Sequence, residues 1–338
     1  MKKKILITCL VFTVSMFLVF TGAFDDAYAA QKIKHIKILG TSVGGTWYLL
    51  SLALANEIEK VSPGIKAVGA PGGSGSNNIN VSDKKAEFGM TFVPTAYEAW
   101  KGLPPIYKKK YTNFRHIGGF ATYHVEVVVR EGVKVADGQI PRDLPSKRFS
   151  IGKRTWGSTQ YALKAMAALG VTPEKVKASG GTIHYLGYKD VITQMQDRNL
   201  DAMVWIGTVP NPIVLNIVER PGITMPGFTD EQAKTMLQAL KPQNLFYYTR
   251  VPDNPYPGVK SGYKTVGYLA SLICHKDMPD DLVYDVTKIL FEKQAVKDVF
   301  KGVEGALDLK YALSGIKDGE VLIHPGAIKY YREVGMIK

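Results

Sequence analysis

Cysteine is nearly missing: the 338-residue chain has two, Cys9 near the start and Cys274 in an apolar run. Once the first 29 residues are removed, as argued below, no internal disulfide can form, and Cys274 reads as a buried thiol. Six histidines, at 35, 116, 124, 184, 275 and 324, lie far apart, with no H-E-x-x-H or other tight ligand spacing, so no catalytic metal finds a home. Gly40, Gly44 and Gly45 do not spell G-x-G-x-x-G, and G-x-x-x-x-G-K-[ST] does not occur, so no nucleotide cofactor is expected. Gly73-Ser74-Gly75 lacks the nucleophile-elbow flanks, because Ser76 stands two residues after Ser74. Asp280-Asp281 sits where a helix start favours carboxylates. With no assembled nucleophile, base or metal set, the chain reads as a non-enzyme that needs no cofactor.

A long apolar run is missing too. Ile5 to Phe20 falls short of the roughly 20 residues that span a bilayer and carries Thr8, Thr13 and Ser15. It follows Lys2-Lys3-Lys4 and precedes Ala27-Tyr28-Ala29, the order of a cleaved secretory signal peptide over residues 1–29, with the mature chain starting at Ala30 or Gln31. Cys9 follows Thr8 and has too little apolar sequence before it for a lipoprotein. Acidic residues are the scarcer charge, 30 against 43 basic, for a net +13. Removing the lead takes away three lysines and two aspartates, leaving +12. That excess would draw anionic ligands or an anionic membrane surface. Export and the dispersal of the basic residues argue against nucleic acid, and Lys108-Lys109-Lys110 reads as a solvated face.

What is present is a recurring strand, glycine-rich loop and helix. Strands are expected at residues 36–39, 65–68, 86–93, 125–129 and 149–151. Helices are expected at 48–60, 77–81, 97–100, 161–169, 189–199, 211–218, 230–240 and 280–300. Alternation of the two implies an α/β fold, and about 300 mature residues imply two domains. Loops at 40–46, 72–76 and 152–159 each follow a strand and precede a helix, the place where open α/β sheets bind ligands. Thr41, Ser42, Thr46, Ser74, Ser158 and Thr159 offer hydroxyls there, and helix-start N–H groups favour anions. Helix capping would use the same residues. Arg154 could supply charge. Trp47, Tyr48, Trp156 and Trp205 fall in or near the loops, and Trp156 is the aromatic expected to face a ligand.

These motifs resemble a known family, the TAXI-type solute-binding subunits of tripartite ATP-independent periplasmic (TRAP) transporters. The resemblance begins at Gly40-Thr41-Ser42-Val43-Gly44-Gly45-Thr46-Trp47-Tyr48 and continues through Gly72-Gly73-Ser74-Gly75-Ser76-Asn77. Further on it runs through Tyr256-Pro257-Gly258, Leu282-Val283-Tyr284 and, most specifically, His324-Pro325-Gly326-Ala327 with Tyr330-Tyr331-Arg332-Glu333. It implies a two-lobed type II periplasmic-binding-protein fold with the ligand cleft between lobes. Lobe 1 would comprise residues 30–121 plus 267–338, lobe 2 residues 122–266, with crossings near 120–125 and 265–269. It also implies a periplasmic monomer that passes a small organic anion, a carboxylate or amino acid, to TRAP membrane subunits. A periplasmic subunit reporting to a membrane sensor, or an enzyme on the same fold, are the alternatives. Asn77, Phe92 and Tyr256 join the ligand-binding candidates on this ground. The chain departs from the family at Phe92-Val93-Pro94, where polar residues are usual, and at Trp156-Gly157-Ser158-Thr159. A more apolar or aromatic acid fits Phe92 and Trp156 better than the family's usual ligands.

Overall fold

The computed structural model describes residues 34–316 and 321–338; the signal-peptide expectation falls on residues outside these. In chain order the elements are β1 (His35–Leu39), α1 (Thr46–Val61), β2 (Lys66–Ala70), α2 (Ser74–Ser82), β3 (Phe88–Phe92), α3 (Val93–Lys101), β4 (Phe114–Arg130) and α4 (Ile140–Asp143). There follow β5 (Arg148–Ser150), α5 (Gly157–Ala168), α6 (Pro173–Ala178), β6 (Thr182–His184), α7 (Tyr188–Gln196), β7 (Ala202–Gly207), α8 (Pro212–Glu219) and β8 (Ile223–Thr224). The chain closes with α9 (Asp230–Ala239), β9 (Tyr247–Val251), β10 (Tyr263–His275), α10 (Asp280–Glu292), α11 (Gln294–Val299) and α12 (Pro325–Glu333). Among the described residues, no helix is long and apolar enough to cross a membrane.

The strands form one continuous path, β2-β1-β3-β10-β4-β7-β5-β6, with β8 on β4 and β9 on β10. Two long strands make it two-lobed. The first half of β4, up to Tyr123, pairs antiparallel with β10, and from His124 onward β4 pairs with β7. In the same way β10 pairs with β9 from Tyr263 to Gly267, then with β3 from Ala270 to Cys274. One lobe is therefore built on β1–β3 and the other on β5–β8, with β4 and β10 shared. Both shared strands are buried over most of their length, which is why they read as near-continuous apolar runs rather than alternating ones.

The strand expected to begin at residue 125 in fact begins at Phe114 and runs unbroken for 17 residues. Gly118 and Gly119 look like a break but are packing necessities. A Cβ at Gly118 would overlap the Tyr331 hydroxyl, and one at Gly119 would overlap Leu269. The helix expected over 280–300 is split at Lys293, whose backbone turns extended (φ −74°, ψ 130°). The break re-aims the chain so that Phe291, Val296 and Phe300 all bury, Phe300 against Phe120 with ring centroids 5.6 Å apart. No Gly or Pro marks it, so tertiary packing overrides local propensity. Cys274 is fully buried in β10.

The most specific sequence motif builds the fold rather than a site. His324 caps α12, its Nδ1 accepting from the Gly326 N–H at 3.2 Å, and the Tyr331 hydroxyl donates to the Ile117 carbonyl at 3.0 Å. Asn77 likewise acts as a clamp. Its Nδ2 donates to the carbonyls of Leu39, Gly40 and Met90 at 3.2, 2.9 and 2.8 Å, and its Oδ1 accepts from the Gly73 N–H at 3.1 Å. One fully buried amide thus ties the ends of β1 and β3 to the loop before α2. Asn77→Ala leaves several buried backbone groups unpaired at about 1–3 kcal/mol each, so we expect a loss of at least about 2 kcal/mol in denaturant unfolding. A change under about 0.5 kcal/mol would show that the clamp is replaceable.

Candidate functional site

A partly open cavity lies where the two lobes face each other. It is lined by Thr41, Gly45, Thr46, Trp47, Gly73, Ser74, Phe92 and Tyr123 on one side, and by Trp156, Ser158, Tyr188, Trp205, Ile206, Asn211 and Ile213 on the other. The volume a water molecule's centre can sweep is about 30 Å³. Aromatic rings fill most of the space. Trp47 meets Phe92 and Tyr123 with centroids 4.7 and 5.7 Å apart, while Tyr188 sits between Trp156 and Trp205 at 4.8 and 5.2 Å.

Helix starts surround this cavity. The lining residues include the N-cap or first-turn residues of α1 (Gly45, Thr46), α2 (Gly73, Ser74), α3 (Phe92), α5 (Trp156, Ser158), α7 (Tyr188) and α8 (Asn211, Ile213). First-turn N–H groups have no backbone acceptor within their own helix, and each start carries a partial positive charge. Within their own helices the hydroxyls at the starts of α1, α2 and α5 do not cap, although Ser74 Oγ accepts from the first N–H of α5, that of Gly157. There the N-caps are Gly45, Gly73 and Trp156, none with a side-chain cap bond, and Thr46, Ser74 and Ser158 lie inside the first turn. None of the lining residues bears a formal charge, so the potential here comes from the backbone.

The buried polar atoms of the wall are donors in want of acceptors. Thr46 Oγ1, Trp205 Nε1, and the facing pair Trp47 Nε1 and the Tyr123 hydroxyl lie buried with no well-formed hydrogen bond. An indole N–H can only donate. Burial pushes the Tyr123 hydroxyl far above its ordinary range and raises Tyr188 as well, so both stay protonated.

Of the residues expected to bind ligand, Thr41, Thr46, Ser74, Phe92, Trp156, Ser158 and Trp205 line the cavity. The others lie elsewhere. Ser42 shapes the loop, its carbonyl accepting from the Gly45 N–H at 3.1 Å. Tyr48 is half-buried on the outer side of α1. Asn77 is the clamp described above. Thr159 is fully buried one residue past the cavity wall, against Gly152. Tyr256 is buried beside Glu126, in the layer behind Trp205. Arg154 is exposed, its guanidinium stacked 3.5 Å from the centre of the Tyr185 ring, so it does not supply charge to this cavity. Trp47, noted beside its loop, also lines the cavity, and the residues that sequence reasoning missed are Tyr123, Tyr188, Ile206, Asn211 and Ile213. Tyr123 and Tyr188 reach the cavity only through tertiary placement.

Glycines set how closely the lobes approach. A Cβ on Gly45 would overlap the Tyr188 ring, one on Gly73 would sit 3.2 Å from Trp156 Cδ1, and one on Gly157 would lie 2.6 Å from Thr95 Oγ1. The Gly157 N–H donates to Ser74 Oγ at 3.2 Å across the seam, and Lys164 pairs with the mostly buried Glu98 at 3.6 Å.

The arrangement has known counterparts. Its strand order and crossing strands define the class of periplasmic binding proteins, and the solved periplasmic binding protein BugD superposes with a TM-score of 0.55. BugD is 14% identical in sequence, and the match covers 89% of this chain and 98% of BugD. PhnD1 from Prochlorococcus marinus (MIT 9301), solved with methylphosphonate, matches with a TM-score of 0.48 at 11% identity over 90% of this chain and 99% of its own. A TctC solute-binding protein from Polaromonas matches with a TM-score of 0.45 at 15% identity over 90% and 98%. BugD carries the fold assignment. The model of the NMT1-like family matches residues 38–335, and the chain belongs to that family.

Behind Trp205 on the sheet lies Glu126, its register partner, fully buried with neither carboxyl oxygen hydrogen-bonded. Burial raises its pKa well above the ordinary carboxylate range, and the neighbouring Tyr256 and Tyr263 hydroxyls are unpaired as well. The folded state therefore holds a proton that the unfolded chain releases near pH 4.5, and stability falls as pH rises above that value toward the folded pKa. Glu126→Gln removes the ionisation. The variant should gain in melting temperature over the parent at pH 8 and gain much less at pH 4. An equal effect at both pH values would contradict a neutral, buried Glu126.

Proposed function

We propose that this protein is the extracytoplasmic solute-binding subunit of a TRAP-type transporter, capturing a small organic anion between its lobes and delivering it to the membrane subunits. The observation that carries the anion is the convergence of six helix starts on one cavity without a charged side chain. A carboxylate at a single helix start gains roughly 0.3–1 kcal/mol, and up to about 2 kcal/mol when partly buried. Several starts acting together, with the partnerless Thr46 hydroxyl and Trp205 N–H, replace the arginine that many anion sites use. The lobes extend over residues 30–121 with 267–338 and over 122–266. The hinge is the stretch where β4 exchanges β10 for β7, and the partner is a pair of TRAP membrane subunits. The TAXI-like motifs support that partner. The protein acts outside the cytoplasm as a monomer and performs no chemistry on its ligand.

Capture requires the lobes to part and close, since a ligand stabilises the closed state only by contacting both lobes. Gly45→Ala should prop the seam open at Tyr188. We expect the variant to show a larger radius of gyration in solution scattering and to bind the ligand that co-purifies with the parent at least about tenfold more weakly. Val43→Ala, on the exposed part of the same loop, should do neither. An unchanged radius together with unchanged affinity would contradict closure at this seam. Affinity capture from solubilised membranes should retrieve the two transporter subunits, and retrieval of a sensor protein instead would overturn the transport assignment.

A further inference from the structure

A second void of about 20 Å³ adjoins the cavity behind the ring ladder of Trp156, Tyr188 and Trp205. Its walls are Ile151, Gly152, Ala162, Val204 and Ile206, and it shares Trp156, Ser158, Tyr188, Trp205 and Ile206 with the main cavity. The three rings thus border both voids, the second of which adds the aliphatic side chains of Ile151, Ala162 and Val204. Its members meet tilted or edge-on, with interplanar angles of 61° and 54°, an arrangement into which a further flat ring can insert.

We propose that the ligand is an aromatic monoanion, an arylalkanoate whose single carboxylate meets the helix starts while its ring enters the ladder toward the second void. This deepens the anion reading and rests on it. Three observations restrict the class. The buried Trp205 N–H, which can only donate, and the Thr46 hydroxyl, which can donate, have no partner, which suits an oxyanion. No aspartate or glutamate lines either void, so the ammonium of an α-amino acid would be desolvated without a counter-charge. The buried carboxyl of Glu126, register partner of Trp205, lines neither void and is held neutral by burial. No lysine or arginine lines either void to hold the second carboxylate of a dicarboxylate.

Calorimetry on the whole protein with a matched set of probes tests this. The set is 3-phenylpropanoate, L-phenylalanine, 3-cyclohexylpropanoate, 3-phenylpropan-1-ol and succinate. 3-Phenylpropanoate should bind at least about tenfold more tightly than each of the others, because each lacks the ring, lacks the anion, or adds a charge without a partner. Trp156→Leu should weaken 3-phenylpropanoate toward the level of the cyclohexyl probe and leave the cyclohexyl probe nearly unchanged. Equal binding of L-phenylalanine or 3-cyclohexylpropanoate, tighter binding of succinate, or no binding of any aromatic acid would overturn the aromatic assignment. Of these, tight succinate binding would leave the anion reading intact. Equal binding of the neutral alcohol would overturn the anion reading itself.

Discussion

The structure depends on one electrostatic constraint: several helices begin at a shared point where no side chain offers a negative or positive charge. Unpaired N–H groups and aligned peptide dipoles create a positive potential there whatever the side chains are. Arginine would have reached the same end through a flexible side chain with its own desolvation cost. Backbone donors come already oriented, and their cost is met when the sheet and helices form. That is why the loops before α1 and α2 end in glycine: a side chain at Gly45 or Gly73 would stand between the helix start and whatever occupies the cavity.

The rest of the molecule keeps those starts in place. Asn77 ties the ends of β1 and β3 to the loop before α2, so the loops cannot shift independently. The shared strands β4 and β10 carry the second lobe, and their exchange of partners between Tyr123 and His124 leaves a short segment that belongs wholly to neither half-sheet. The aromatic side chains at the seam come from both lobes, Trp47 and Phe92 from one, Trp156, Tyr188 and Trp205 from the other, and Tyr123 from the shared strand β4. They supply contact area with few rotatable bonds, which suits surfaces that must separate and re-form.

The α/β alternation was legible because strand, glycine loop and helix recur with clear periodicity at residues 36–60, 65–81 and 149–169. Five of the proposed site residues, Thr41, Thr46, Ser74, Trp156 and Ser158, line the cavity because they lie on those loops, where the topology of open sheets puts ligands. Phe92 and Trp205 reach it from strands β3 and β7. Arg154 was misplaced for a simple reason. It is in the right loop but on its outer face, and a sequence shows which loop a residue occupies better than which way it points. Tyr123 and Tyr188 were missed because one lies in a crossing strand and the other opens a helix with no glycine-rich signature. The split at Lys293 and the continuity of β4 through Gly118-Gly119 were hidden because both are settled by distant partners, Phe120 for one and Tyr331 and Leu269 for the other.

A crystal structure with 4-iodobenzoate tests the central claim most directly, since iodine's anomalous scattering locates the ring independently of the carboxylate. The account predicts carboxylate oxygens within about 3 Å of first-turn N–H groups of α1, α2 and α5, with no lysine or arginine in contact. A carboxylate paired with Arg154 or another cationic side chain, outside the ring of helix starts, would contradict it.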